Sequence, residues 1–588
     1  MSIVPQVKLT VYGHQNDKEK ALAGMQELGC LHIIPLQSTG NEQQDESTSV
    51  RIRDALKYLE SCPRQSPHEL GTADIDSLSA VADEVIELQR QTQQLDDERT
   101  LLLRRIKELS PWGDFTFPPD HGRNLPRFWF YVVPHALVPQ IEESSLTWEA
   151  VGSDERSTYL VVISDNEPGD MPVARTQTGD MPLSELKHRL DEVESNLEDC
   201  QNVRAGLTRW CGWLTRILAR LEDQAALSDT LQKTYDDMSL FVLQAWAPRD
   251  SIKPLQSFAS KRSLVLEIEE AMPEETPPTL LRNRPSLASG QDLISFYMTP
   301  NYWYSDPSVI VFFSFILFFG MIVGDVGYGL LLGIVVLMLW KRLDQSIVGR
   351  RFRILLVALV GVTVIWGATV GSYFGVGPES GTILGGVKLL DFADYDKMMQ
   401  ISIWIGAAHV ILANMVEMRR FGFVSAMLSP AGWIAMVVGG LVLGHGGGPV
   451  GYWLLGTGAA GVVFFTGAGS SPGQRLIKGL LGLTRITNCF GDVLSYLRLF
   501  ALGLATSSLA VTFNELAMQV LSAMPGIGLL FAMFILLIGH GLNFALALVS
   551  GFVHGLRLNF IEFFNWSAPE EGIPFRAFAK KEIATWNS

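Results

Sequence analysis

Two arginines stand where an apolar chain rarely puts them. Arg498 lies in "VLSYLRLFALGLATSS" (493–508), among Leu497, Leu499, Phe500, Ala501 and Leu502, and Arg557 lies in "GFVHGLRLNFIEFF" (551–564). A guanidinium cannot shed its charge at physiological pH, because its pKa lies above about 12. Each arginine also ends a polar series. His540, Asn543, Ser550, His554 and Arg557 follow steps of 3, 7, 4 and 3, with Ala547 completing the seven-residue step. On a helix that spacing is one continuous face. Thr484, Asn488, Ser495 and Arg498 predict a matching face on the run before it. Turned to lipid, each arginine would cost about 3 kcal/mol or more, so the two faces are expected to meet each other or a shared wet surface.

A fixed cation there suits two chemistries. One is binding of chloride or phosphate; the other is counter-charge for a carboxylate arriving from another protein, with the polar stripes as water-accessible routes. Plainer roles compete at several positions. Arg557 is within two turns of Glu562 and the end of its run, where snorkelling explains it as well. His540 and His554 also suit ordinary interhelical hydrogen bonds, and neither has a carboxylate or cysteine at metal-ligand spacing. Asp325 in "FFGMIVGDVGYGLLLG" and Glu417 beside Arg419 fall near span ends, where capping or pairing competes with transport.

The elements that must position these groups follow from a split composition. The chain has 588 residues and a net charge of −15. Residues 1–300 are rich in Asp, Glu, Arg and Gln, whereas from about 305 onward apolar runs recur at the length a helix needs to cross about 30 Å of hydrocarbon. They fall near 306–320, 322–340, 354–376, 401–418, 424–444, 450–468, 483–522 and 527–565, the last two long enough to tilt or protrude. No charged start followed by an apolar core opens the chain, so the N-terminal half is expected in the cytoplasm. The loops at 341–353, 417–422, 470–479 and 576–582 are basic, and those at 377–397, 444–451 and 524–528 nearly lack Lys and Arg. That alternation predicts an even number of crossings with both chain ends cytoplasmic.

In the soluble half, Leu78, Val81, Val85, Leu88, Leu95, Leu102, Ile106 and Leu109 form a coiled-coil seam, with Thr92 and Arg99 as polar exceptions. A second seam runs through Leu183, Leu186, Leu190, Val193, Leu197, Cys200, Leu207, Cys211, Leu214, Leu218 and Leu221. Matched seams around an insert predict an antiparallel hairpin. The insert carries the strands "RFWFYVVP" and "TYLVVIS", and strand–helix–strand patterns flank the hairpin at both ends of the half. The fold class expected is mainly α: a cytoplasmic coiled-coil arm with α/β globular ends, then a polytopic membrane domain of about eight helices. The parts are a proximal lobe (1–75 and, with its linker, 238–300), arm helices (76–110 and 181–237), a distal lobe (111–180), a translocating domain (301–566) and a cytoplasmic tail (567–588). The half has no GxxxxGK[ST] loop, no GxGxxG after a strand and no metal-ligand cluster, which argues against an enzyme domain with its own nucleotide site. Cys30, Cys62, Cys200, Cys211 and Cys489 form no CxxC pair and read as cytosolic thiols. No cofactor, metal or nucleic acid is expected.

The segments "GDVLSYLRLFALGLATSSLA" (491–510) and "GHGLNFALALVSGFVHGLRLNFIEFF" (539–564) closely resemble the last two membrane helices of the V-type/A-type ATPase a/I subunit family. So do "PPTLLRNRPSL" (277–287), "TPNYWYSDPSVIVFFSFILFFGMIVGDVGYG" (299–329) and "IGAAHV" (405–410), and the length is similar to a prokaryotic subunit I. The resemblance implies a membrane stator beside a proteolipid c/K ring. It further implies an arm on E/G-type peripheral stalks that lead to an A3B3-type ATPase head, and a central-stalk or rotor-cap partner. It places the chain in the plasma or inner membrane. Arg498 and Arg557 match the family's two essential arginines, and Asn488, His554 and Glu562 fall where its aqueous half-channels run. Thr506, Ala547 and Thr484 stand where vacuolar members carry a histidine and two glutamates, so His540, Asp325 and Asp492 become candidates for the outer half-channel. The implied mechanism has the arginines discharge a ring carboxylate that carries H⁺ or Na⁺. Rival readings are a stand-alone secondary transporter, which predicts internal repeats that 305–440 and 440–565 do not show, and a purely structural membrane anchor.

Overall fold

The computed structural model describes residues 2–37, 46–66, 75–115, 127–142, 146–169, 171–178, 181–379, 381–421, 427–467, 471–524, 526–567 and 570–581. It divides into two compact units. One comprises residues 1–38 and 230–579, and the other residues 39–229 with the last residues of the tail.

The first unit begins with a lobe built from two strand–helix–strand halves. These are β1 (Gln6–His14), α1 (Lys18–Leu28) and β2 (His32–Ile34), then β7 (Leu240–Pro248), α7 (Ile252–Lys261) and β8 (Val265–Glu270). All pair antiparallel in the order β2-β7-β1-β8, and a short β6 (Tyr235–Asp237) also pairs with β7. This is the ferredoxin-like interleaving of two βαβ halves. One face of the sheet packs on the helices because alternate residues bury, and Ala21, Leu22 and Met25 of α1 and Leu255 and Ala259 of α7 are buried. Gly24 allows the two helices to touch, since a Cβ at that position would lie 2.5 Å from the Phe258 ring. The C-terminal segment returns to this lobe. Thr279 N–H donates to the Ile573 carbonyl (2.7 Å), Phe578 N–H to the Leu31 carbonyl (2.7 Å), and Phe578 is buried. Tail residues 582–588 lie outside the described residues.

The second unit is a helical hairpin with a small sheet at its end. Its helices are α2 (Glu46–Glu60), α3 (Ile75–Leu109), α5 (Leu183–Leu207) and α6 (Cys211–Lys233). The α3 and α5 helices run antiparallel, since the 78–88 end of one meets residues from 207 onward and its 102–109 end meets 183–193; Arg99–Glu194 (2.9 Å) and Arg189–Glu98 (2.8 Å) pair between those ends. Leu78, Val85 and Leu88 bury against Leu207, Leu214 and Ile217, and Leu102 and Leu109 against Leu183, Leu186 and Val193. Each such leucine contributes about 1.5–3 kcal/mol of burial. The second helix is not continuous: a 3₁₀ turn, Thr208–Trp210, divides it, and the Thr208 hydroxyl accepts the Ser66 N–H at 2.8 Å. Helix α2, which the seam pattern does not announce, adds Ile52, Ala55 and Leu59 to the same core. Where Thr92 and Arg99 interrupt the seam, a polar cleft of about 900 Å³ opens. The sheet is β3 (Arg127–Pro134), β5 (Ser157–Ser164) and β4 (Thr147–Ser153) in that order, with helix α4 (Val138–Glu142) against it. Strand β3 turns Trp129, Tyr131 and Val133 to that core and Phe130 to the hairpin end, the period of two expected of a strand.

Residues 288–567 of the first unit are almost wholly helical. After α8 (Ala288–Tyr297) come α9 (Ser308–Val323), α10 (Val326–Leu343), α11 (Ile347–Val370), α12 (Ile383–Val387), α13 (Tyr395–Phe421), α14 (Leu428–Gly444) and α15 (Gly448–Phe465). Next are α16 (Pro472–Leu483), α17 (Ile486–Ser495), α18 (Leu497–Ala523), α19 (Gly528–Arg557), a π-helical turn (Leu558–Phe563) and α20 (Phe564–Ser567). Among the described residues six helical stretches are long and apolar enough to cross a membrane, the last two spanning Pro472–Ala523 and Gly528–Ser567. The apolar helices α9 and α14 are shorter. Packing relies on small residues, as it must where lipid removes the hydrophobic drive between helices. A Cβ on Gly432 of α14 would lie 2.6 Å from the Gly458 carbonyl of α15, and one on Gly551 of α19 would lie 2.7 Å from the Phe319 ring of α9.

Candidate functional site

The run that carries Arg498 is broken rather than continuous. Thr484 and Arg485 separate α16 from α17, and Tyr496 alone separates α17 from α18. Thr484 is therefore exposed on another helix end, where its hydroxyl donates to the Leu481 carbonyl (2.7 Å), and it does not share a face with Arg498. Arg498 lies in the first turn of α18. Its Nη2 donates to Ser495 Oγ (3.1 Å), and the Ser495 hydroxyl donates to Glu562 Oε1 (2.6 Å). Arg498 Nη1 stands 3.9 Å from the same carboxylate oxygen. The sequence alone offers Arg498 no matched intramembrane carboxylate, and the fold corrects that: Glu562 faces it across a serine.

Glu562 reaches that place through the π-helical turn after α19. A π turn inserts an extra residue and rotates the residues beyond it. Asn559 anchors it, accepting from the Ser314 hydroxyl (2.5 Å) and donating to the Gly555 carbonyl (3.0 Å) while fully buried. The carboxylate side chain is 4 % exposed and the arginine 24 % exposed. Arg498 Nη1 and Glu562 Oε2 are nonetheless without hydrogen-bond partners among the described residues. The pair is thus serine-bridged and incomplete, with donor capacity left on the guanidinium. Arg557, the last residue of α19, is exposed, and its side chain makes no hydrogen bond or ion pair among the described residues. One turn earlier His554 is half-buried, lies in the field of both guanidiniums, and has an unpartnered Nδ1. Ser550 is half-buried on the same helix, and Asn488 is exposed on α17 two turns before Ser495.

The other candidate residues gather elsewhere. Asp492 accepts from Trp566 Nε1–H (2.7 Å) and Asn565 Nδ2 (3.3 Å), and Arg485 covers the Trp566 ring at 4.7 Å. It therefore sits with the end of α20, not with His540. Asp325 is buried and N-caps α10. It accepts four bonds: from the Tyr328 (3.1 Å), Phe374 (3.0 Å) and Gly375 (3.0 Å) amides and the Ser372 hydroxyl (2.6 Å). His540 and Asn543 join a directed network. Asn543 Nδ2 donates to the Thr506 carbonyl (2.8 Å) and to Tyr328 Oη (2.8 Å), so the Tyr328 hydroxyl hydrogen is directed to His540 Nδ1 (2.9 Å). Asn514 donates to the Phe374 carbonyl (2.7 Å), which turns its oxygen to His540 Nε2 (3.0 Å). The fixed amides thus select the Nε2–H tautomer of a neutral imidazole.

Tyr328, Asn514 and Glu515 escape a reading confined to the two polar stripes. Their signal is a polar residue inside an apolar run, and Glu515 lies exposed on α18 eight residues before its end. Thr506, Ala547 and Thr484 have structural surroundings of their own. Thr506 back-bonds to the Leu502 carbonyl (3.0 Å), Ala547 packs in the core with Phe319 and Tyr328, and Thr484 caps α16. No group of three or more His, Cys, Asp or Glu able to hold a metal occurs among the described residues.

Comparisons with known proteins agree with one another. The V-type ATPase 116kDa subunit family matches residues 171–357. The V-type ATP synthase subunit I of Chlamydia pneumoniae is 27 % identical over 86 % of this chain and 86 % of its own length. The V-type ATP synthase subunit I 1 of Treponema pallidum is 26 % identical over 96 % of this chain and 97 % of its own. The A-type ATP synthase subunit I of Methanocaldococcus jannaschii is 27 % identical over 68 % of this chain and 64 % of its own. Over most of its length the chain is thus similar to the V-type and A-type ATP synthase subunits I.

Proposed function

We propose that this chain is the membrane stator subunit of a rotary V/A-type ATPase. In this reading it faces a proteolipid ring with Arg498 and Arg557, supplies two ion half-channels, and ties the membrane sector to the head through peripheral stalks on its helical hairpin. It sits in the plasma membrane with its N-terminal half and C-terminus cytoplasmic. The observation that carries the reading is the incomplete Arg498–Ser495–Glu562 arrangement beside an exposed, unpaired Arg557.

The chemistry rests on electrostatics. A ring carboxylate crosses lipid only as its protonated or Na⁺-bound form, because burying the charge costs several kcal/mol or more. Beside two fixed guanidiniums the ionised form is favoured and the ion leaves. Ser495 and Glu562 hold Arg498 by one bridged contact, so its remaining N–H groups stay available to the arriving carboxylate. Glu562, His554 and Asn488 border the cytoplasmic side of that exchange; the His540–Asn514 network borders the outer side. The same positive charge bars ions from passing straight across.

Arg498→Lys tests this. Lysine keeps the charge, loses the fork that spans Ser495 and the incoming carboxylate, and can deprotonate when buried. ATP-driven ion uptake into proteoliposomes should vanish while the complex still assembles; normal pumping by assembled Arg498→Lys complexes would overturn the assignment.

A further inference from the structure

His409, in the "IGAAHV" segment, takes no part in the ion pathway described above, yet it is buried directly behind it. Its Nδ1 is 2.6 Å from the hydroxyl of Tyr496, itself fully buried, and Nε2 has no hydrogen-bond partner among the described residues. Tyr496 is the single residue at the α17–α18 break, flanked by Ser495 and, two residues on, by Arg498. The backbone there is tightly wound: Tyr496 N–H donates to the Val493 carbonyl (3.3 Å) and Leu499 N–H to the Tyr496 carbonyl (3.0 Å). Both bonds are of the i→i+3 kind that marks a local change of helix type.

Two further contacts fix the imidazole. Gly406, one turn earlier on α13, lets that helix close on the break, since a Cβ there would lie 2.7 Å from the Tyr496 ring and 2.9 Å from the Val493 carbonyl. On the other side of the site, Phe563 stacks on the imidazole with centroids 4.6 Å apart and planes at 18°, and Phe563 is the neighbour of Glu562. Phe318 of α9 meets both His409 (5.2 Å) and Tyr496 (5.6 Å) edge-on. One side chain thus touches the residue between Ser495 and Arg498 and the residue next to Glu562, which are the two arms of the serine-bridged pair.

We propose that His409 is a positioning residue for Arg498: through the Tyr496 hydroxyl and the Phe563 ring it sets the register of the α17–α18 break against the π turn. It touches no ion and no ring carboxylate. The inference rests on Arg498 being the stator charge of a rotary ATPase. A guanidinium displaced by about 1 Å from its productive position loses efficiency without losing its charge, so the expected defect is in coupling rather than in assembly.

The test compares His409→Leu, His409→Asn and Tyr496→Phe in the intact complex, reconstituted in liposomes. Ion uptake is read by a quenched pH dye and by Na⁺ uptake, and divided by ATP hydrolysed. Asparagine places an amide where Nδ1 stood; leucine fills the space with no polar atom; Tyr496→Phe removes only the hydroxyl. His409→Leu and Tyr496→Phe should each move about five-fold fewer ions per ATP in assembled complexes, and His409→Asn should recover to within about two-fold of the wild type. Equal coupling in His409→Leu and His409→Asn, or wild-type coupling in Tyr496→Phe, would overturn the proposal. Should His409→Leu fail to assemble, Tyr496→Phe, which keeps the ring and its packing, decides. Arg498→Ala separates the two layers: if it pumps normally the stator reading fails, whereas if it is uncoupled and Tyr496→Phe is normal, only the His409 assignment fails.

Discussion

Asp325→Asn should unsettle the fold before it touches transport, and the size of the effect can be worked from the four bonds. Oδ1 accepts the Tyr328 and Phe374 amides, and Oδ2 accepts the Ser372 hydroxyl and the Gly375 amide. Asparagine keeps one oxygen and remains a good N-cap, so the Oδ1 bonds survive in weaker, uncharged form. The new NH₂ faces two donors. The Ser372 hydroxyl can rotate to accept from it, but the Gly375 N–H cannot, and Gly375 sits at φ +75° with a Cβ-free approach to Ala510 that leaves little room to move. One buried amide without a partner costs about 1–3 kcal/mol, and loss of charge assistance on the remaining bonds adds about 1 kcal/mol. The sum is about 2–4 kcal/mol. Asp325→Ala, which strands all four donors, should cost more, and Ser372→Ala about 1 kcal/mol. Thermal unfolding of the purified chain in one detergent gives the order Asp325→Ala, Asp325→Asn, Ser372→Ala, wild type, from least to most stable. Pumping per assembled Asp325→Asn complex should stay within about two-fold of the wild type. A variant as stable as the wild type that no longer pumps would refute the reasoning and make Asp325 an ion-pathway group.

Packing and titration give two further outcomes. Gly551→Leu should lower the unfolding midpoint, by overpacking worth about 1–3 kcal/mol against the Phe319 ring, whereas Gly541→Leu, which has open space around its Cβ, should not lower it. Equal midpoints would refute the close approach of α19 to α9. In the ferredoxin-like lobe, His32 Nδ1 accepts the Arg576 N–H at 2.9 Å and its ring lies against Phe575. Burial, and then the nearby Arg576 charge, hold the His32 pKa below its ordinary value. A released tail therefore binds more protons than a docked one, so docking is fully favoured above about pH 6.5 and weakens as the pH falls below it. Hydrogen exchange at 573–579, corrected for intrinsic rates, should show protection falling as the pH drops below about 6.5 in the wild type but not in His32→Gln. Equal pH dependence in both would refute the assignment.

Periodicity carried well where one face of one element decides burial. The seam leucines at 78–109 and 183–221 name the residues that meet across the hairpin, because a coiled coil buries the positions that recur every three or four residues. The interleaved βαβ halves are likewise legible as two repeats, although their joint sheet has to close across an insertion of about 200 residues, which no local pattern encodes. The polar stripe of α19 holds because that helix is continuous from Gly528 to Arg557.

The site itself was harder to read, and the reason is geometric. Counting along an unbroken α-helix puts Thr484 on the Arg498 face and leaves Glu562 pointing elsewhere. Both counts fail at irregularities set from outside their own helix. The break at Tyr496 depends on a hydroxyl that meets His409 from α13, and on Gly406, which admits that helix. The π turn after Arg557 depends on Asn559, whose partner Ser314 comes from α9. Each irregularity is made by a residue about 90 to 250 positions away in sequence, so a window of one or two turns contains no sign of it. Yet these irregularities bring Ser495 between Arg498 and Glu562, and a regular pair of helices would not. A bilayer makes such distortions expensive unless every freed backbone and side-chain group is re-paired. The polar residues that do this re-pairing, His409, Asn559 and Ser314, therefore belong to the site as much as the charges do, and in other sequences of this kind they are the ones to look for behind the arginine.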